Sequence, residues 1–187
     1  MDKERKLIIA GNWKMNKTVS ESIDLANGLV RELNDIKEVD IAICPPFTAL
    51  SEVSKSIIDS NIRLGAQNMS QNNYGAHTGE IAAGMLKEFS TKYVILGHSE
   101  RREYQRESNE LIAAKSKTAH EAGLKPIVVV NKVDRPDART AEVVDEAMEL
   151  ILEMGGEEYL DNFHFIYASA KEGFATHEPN TFSGNME

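Results

Sequence analysis

The sequence predicts an α/β fold. Strands and helices alternate along the chain, and the strands lie parallel in an incomplete (β/α) barrel-like or open sheet of about six strands. Three observations predict it. Short apolar runs recur between longer stretches whose apolar residues step by three and four. Stop signals such as Pro45-Pro46, and Gly123 followed by Pro126, fall at the ends of those segments. Finally, 187 residues with 41% hydrophobic content supply one good-sized core. No linker and no short repeat interrupts this pattern, so residues 1–187 read as a single α/β domain.

The elements follow in order. "KLIIA" (6–10) is a buried-strand candidate. Thr18 and Glu21 form a capping-box pattern, and Val19, Ile23, Ala26, Val30 and Leu33 then mark one helix face. "VDIAIC" (39–44) is the second strand, and residues 49–58 suit a short helix. "IRLGAQ" (62–67) is the third strand. A polar loop follows, and then a helix through Met85 and Leu86. "KYVILG" (92–97) is the fourth strand, and Ser108 caps a helix running to Gly123. "PIVVVN" (126–131) is the fifth strand. Val143, Ala147, Leu150 and Met154 mark another helix, and "FHFIYAS" (163–169) is the sixth strand. "KEGFAT" (171–176) is not expected to be a strand.

Bulk properties exclude some classes. The net charge of -9, with no long basic run, argues against nucleic-acid binding. No apolar run approaches the ~20 residues of a membrane span, so no membrane partner is expected. The single cysteine, Cys44, excludes an intrachain disulfide. The apolar stretch near the start is too short for a signal peptide, and a reducing cytoplasm is the expected location.

"GNWKMN" (11–16) and "GHSERR" (97–102) both sit at strand ends. Parallel folds build their sites at that carboxyl edge. Lys14 suits an anionic substrate, and Asn12 suits its oxygens. His98 precedes a helix start at Ser99, whose partly positive terminus favours a neutral imidazole able to polarise a carbonyl. A lone lysine is usually solvated and a lone histidine usually just hydrogen-bonded. The two together, at matching strand ends, carry the assignment.

"AGNWKMNKT", "PPFTAL", "GAQNMSQNNYGAHTGEIAAGML", "YVILGHSERR" and "HEAGLKPI" resemble triosephosphate isomerase over about residues 6–127. The resemblance implies a (β/α)8 barrel, usually a homodimer, that interconverts dihydroxyacetone phosphate and glyceraldehyde 3-phosphate. It implies no cofactor, and no metal ligands are assigned. By resemblance Asn12 and Lys14 bind substrate, His98 is the catalytic electrophile, and Ser99 and Glu100 support it. The loop from Tyr74 to Glu80 resembles the family's interlocking dimer loop, with Thr78 near its tip, so a homo-oligomer is expected. The family's glutamate base belongs at the end of the sixth strand, and its phosphate loops follow the seventh and eighth; neither is recognisable. "HEPNTFSG" (177–184) echoes the base segment through Glu178, but Glu178 follows Tyr167 by eleven residues and does not stand at the strand end.

The later part reads differently. "NKVD" (131–134) follows "PIVVV", and "ASAK" (168–171) follows "FHFIY". A fixed Asp134 suits the two donors of a guanine edge, Asn131 the other edge, and the Lys132 stem the ring plane. The backbone at Ser169 and Ala170 suits the guanine oxygen. This stretch, residues 123–187, resembles the G domain of translational GTPases of the TypA/BipA type. The phosphate and magnesium elements of such a domain are absent. "GNWKMNKT" imitates a phosphate loop but carries Asn16 where the second glycine belongs. The sequence therefore reads as a chimera: an isomerase-like part, 1–127, joined to a G-domain-like part, 128–187, without efficient catalysis. Alternatives are a working triosephosphate isomerase and a weak guanine-nucleotide-binding module.

Overall fold

The computed structural model describes residues 7–126, 128–131, 138–155, 165–169 and 174–176. The chain divides into two compact units, Met1–Pro126 and Ile127–Glu187.

The first unit alternates strand and helix from its start. Strand β1 (Leu7–Asn12) leads into helix α1 (Val19–Leu33). Thr18 caps α1 as its spacing to Glu21 predicts: its side chain accepts the Glu21 N–H, and the Glu21 carboxylate accepts the Thr18 N–H at 2.8 Å. Strand β2 (Val39–Cys44) ends at Pro45, and a 3-10 turn at Phe47–Ala49 opens α2 (Leu50–Ser56). Then follow β3 (Ile62–Ala66), α3 (Ala83–Lys87), β4 (Tyr93–Val94), α4 (Ser99–Tyr104), α5 (Asn109–Glu121) and β5 (Lys125–Pro126). Ser108 caps α5 by accepting the Leu111 N–H. The five strands form one parallel sheet in chain order, β1-β2-β3-β4-β5.

Alternate residues of the strands supply the core. Ile41, Ile43, Ile62, Leu64, Ala66 and Val94 bury against Leu50, Val53, Leu86, Ala119 and Leu124 from the helices and the turn after α5. Full burial of such side chains stabilises by roughly 1.5–3 kcal/mol each, so this layer holds the strand ends in register. Gly65 and Cys44 meet between β3 and β2. A Cβ on Gly65 would lie 2.4 Å from Cys44 Sγ, so glycine allows the close approach.

The second unit contains β6 (Val128–Asn131), α6 (Thr140–Gly155), β7 (Phe165–Ser169) and β8 (Phe174–Thr176). β6 and β7 pair in parallel, with Asn131 opposite Ala168, and β8 pairs antiparallel with β7.

The predicted α/β class and strand–helix alternation hold, with differences in detail. The strand expected over 126–131 divides between two sheets. Pro126 ends β5, and its missing N–H leaves the ladder without a donor there. The fourth strand is a two-residue ladder, flanked by the Lys92 N–H to Leu64 carbonyl and Ile95 N–H to Ala66 carbonyl bonds, instead of the run 92–97, and Gly97, at φ +65, precedes α4. Part of "KEGFAT" is a strand after all: Phe174 and Thr176 have the aromatic and β-branched character that pairing favours, and Phe174, Ala175 and Thr176 pair with Ser169, Ala168 and Tyr167. No helix among the described residues is long and apolar enough to cross a membrane.

Candidate active site

Asn12 is the last residue of β1, and Lys14 lies two residues beyond. The Lys14 backbone N–H donates to Asn12 Oδ1 at 3.0 Å. Lys14 adopts φ 55, a left-handed conformation that costs energy for any residue with a Cβ. Three further hydrogen bonds hold this turn. Gln67 Nε2 donates to the Lys14 carbonyl at 2.9 Å and to the Cys44 carbonyl at 2.8 Å, and the Trp13 N–H donates to the same Cys44 oxygen at 3.1 Å. The ends of β1, β2 and β3 are thereby tied together under Lys14.

His98 is the N-cap of α4, and its Nδ1 accepts the Glu100 N–H at 3.2 Å. That bond requires Nδ1 to be unprotonated. The ring proton therefore sits on Nε2, a donor suited to a carbonyl oxygen. The Lys14 ammonium reaches across the sheet edge to Glu100 Oε1 at 2.5 Å, and Glu100 Oε2 lies 3.6 Å from His98 Nδ1. Lys14 and His98 lie in the segments that follow β1 and β4, which are not sheet neighbours. Their shared carboxylate brings the two strand ends into one site. The hydrogen bond from Lys14 holds the Glu100 carboxyl below its usual range, so Glu100 stays charged. The pair is about half exposed, and an entering anion can compete for the ammonium.

Ser99 is exposed at the first position of α4. Thr78 is exposed in the loop after β3, and Tyr74 in the same loop is 88% exposed. In the second unit Asn131 ends β6 and Ser169 ends β7, the same end of two adjacent parallel strands. Lys132, Asp134, Ala170 and Glu178 lie outside the described residues. Among the described residues no group of three or more His, Cys, Asp or Glu side chains is placed to hold a metal ion.

The triosephosphate isomerase family model matches residues 7–168. The chain belongs to the triosephosphate isomerase family. It is 44% identical to the triosephosphate isomerase of Alkaliphilus oremlandii (strain OhILAs) over 165 residues, 87% of this chain and 66% of that protein. It is 48% identical over 143 residues to that of Carboxydothermus hydrogenoformans, 75% of this chain and 57% of the relative. The chain thus spans about three-fifths to two-thirds of the length of these isomerases. A solved triosephosphate isomerase from Bartonella henselae superposes with a TM-score of 0.70 at 34% identity, covering 87% of this chain and 68% of that one. The isomerase match continues across the junction expected near 123–127 and through Asn131, Lys132 and Asp134. These comparisons lend no support to a separate G-domain segment.

Sequence reasoning missed Gln67, which holds the Lys14 turn, and Glu107 and Lys115, which are buried together beside α4. Lys115 was discoverable. It falls with Ile112, Ser116 and Ala119 at helical spacing, so a cation lies on the buried face of α5. Gln67 sits at the end of the predicted third strand and carries no signal of its own.

Proposed function

We propose that this chain acts on triose phosphates with the chemistry of its family, the interconversion of dihydroxyacetone phosphate and glyceraldehyde 3-phosphate. Asn12 and Lys14 grip the anionic substrate, and His98 donates from Nε2 to its carbonyl oxygen. A base removes a proton from the carbon beside that carbonyl, and the proton returns to the neighbouring carbon. One observation carries this reading: the Lys14–Glu100–His98 contact joins the cation and the electrophile across two non-adjacent strand ends. For the base the sequence offers Glu178. A homo-oligomer assembled through the loop at 74–80 also fits, and the exposure of Met15 and Tyr74 supports it.

The test is turnover of dihydroxyacetone phosphate by the parent and by His98→Ala, prepared identically. Loss of general acid–base help is commonly worth ~10²–10⁴-fold, which is the expected drop. A further loss with Glu178→Gln would identify the base. Equal turnover in the parent and His98→Ala would refute isomerase activity.

A second reading, a weak guanine-binding module, rests on the sequence motifs "NKVD" (131–134) and "ASAK" (168–171), with Asn131 ending β6 and Ser169 ending β7. Base contacts without phosphate contacts predict a dissociation constant of ~1 mM or weaker. Calorimetry with GDP and ADP tests it. A preference for GDP that Asp134→Ala abolishes supports the module, and equal binding excludes it.

A further inference from the structure

The helix that carries Glu100 has no apolar anchor. α4 spans only Ser99–Tyr104, and none of its residues is buried. Apolar packing therefore does not set where its first turn, with His98 and Glu100, comes to rest. Polar tethers do. Arg101 Nε donates to Glu107 Oε1 at 2.7 Å, and the Glu107 N–H donates to the Arg101 carbonyl at 3.3 Å. Glu107 lies in the connector to α5 and is 5% exposed. Lys115 on α5 is 3% exposed and donates to the same Glu107 oxygen at 2.6 Å and to Asn68 Oδ1 at 3.0 Å. The cluster thus runs from α4, through the connector and α5, to the loop after β3.

Buried ions are a poor way to gain stability, because desolvation offsets their attraction. They do fix geometry, since a planar guanidinium donates to a carboxylate in few directions. We propose that Arg101 and Glu107 are positioning residues for the active site: the Arg101–Glu107–Lys115 cluster seats α4 where His98 Nδ1 accepts the Glu100 N–H and Glu100 meets Lys14. The consequence for substrate rests on the proposed triose-phosphate function. The placement of His98 does not.

The experiment uses the full chain. The side-chain nitrogen resonances of His98 are assigned by their loss in His98→Gln and recorded above the ordinary imidazole titration range. Arg101→Met keeps the side-chain stem and leaves the buried Glu107–Lys115 pair intact, so it tests the tether without emptying the cluster. Expected is a shift of the Nδ1 resonance toward a protonated nitrogen, as both neutral tautomers populate. Arg101→Lys should recover part of the parent pattern. Affinity for dihydroxyacetone phosphate should fall about tenfold in Arg101→Met, ~1.4 kcal/mol. Glu107→Gln should shift His98 in the same direction. If Glu107→Gln does not fold, Arg101→Met decides alone. Leu86→Ala, in the core, is the control: it should lower Tm and leave His98 unmoved. His98 resonances unchanged in Arg101→Met, or displaced as far in Leu86→Ala, would overturn the proposal. A parent chain that fails to bind the substrate at all would sink the functional reading, while the His98 resonances would still decide the positioning.

Discussion

Gly65 has no room for a side chain, and the consequence can be worked through. A Cβ there would lie 2.4 Å from Cys44 Sγ and 3.6 Å from Tyr93 Cβ. Carbon and sulfur contacts are comfortable near ~3.5–4.0 Å, so the overlap is roughly 1 Å or more. Cys44 is 1% exposed and cannot swing into solvent. Gly65 does not have a positive φ, so alanine can adopt its backbone, and the substitution tests spacing alone. Gly65→Ala should therefore cost ~1–3 kcal/mol, the usual range for overpacking. Cys44→Ala removes the opposing sulfur and should itself cost about 1 kcal/mol in lost burial. In the double variant the new methyl fills part of the space the sulfur leaves. The combined loss should fall short of the sum by about 1 kcal/mol or more, a coupling typical of residues in contact. Urea unfolding followed by the fluorescence of Trp13, the single tryptophan, measures all four proteins. Losses that add within ~0.5 kcal/mol would refute the close approach. The Cys44 carbonyl holds Trp13 and Gln67, so Gly65→Ala should also weaken triose-phosphate binding.

Other outcomes follow from single residues. Burial alone would raise the Glu107 pKa, but hydrogen bonds from Lys115 and Arg101 outweigh it and hold it below its ordinary value. Its stabilising contribution is then present above the ordinary carboxyl range and lost as pH falls through the depressed value. Urea midpoints against pH should show a shallower acid limb in Glu107→Gln, and parallel curves would contradict this. Burial pushes the Cys44 thiol up to about 12, so it should resist alkylation until the chain unfolds, and fast labelling of native protein would show an open site. Thr18→Ala should cost ~1 kcal/mol through the lost cap, read in the urea midpoint. Light scattering should show dimers or larger species across micromolar concentrations, and a clean monomer would remove the role given to the 74–80 loop.

Local signals made much of the fold legible. The Thr18 box, the Ser108 cap and the Pro45 stop each act within a few residues, and each stands where the sequence puts it. His98, Asn12 and Lys14 were legible because strand ends in parallel sheets share an edge. Their joining through Glu100 was not, since the contact spans 86 residues and depends on how many strands lie between. The sequence placed a junction near residues 123–127, but the split of "PIVVVN" between two sheets was hidden, because it is apolar throughout and an apolar run does not say which sheet it joins. β8 was missed because Gly173 and the charged Lys171-Glu172 pair precede only two good pairing residues, Phe174 and Thr176. The cluster at Glu107 was overlooked because charged residues are read as solvated unless their helix face is followed round.

The most direct test of the account is calorimetric titration of the chain with dihydroxyacetone phosphate, beside Lys14→Met. If Lys14 and His98 form one site, the parent binds at millimolar affinity or better, about -4 kcal/mol or stronger. Lys14→Met then loses that heat while keeping the parent's urea midpoint within ~0.5 kcal/mol, as expected for an exposed side chain. Undiminished binding by Lys14→Met, or no binding by a folded parent, would contradict the account.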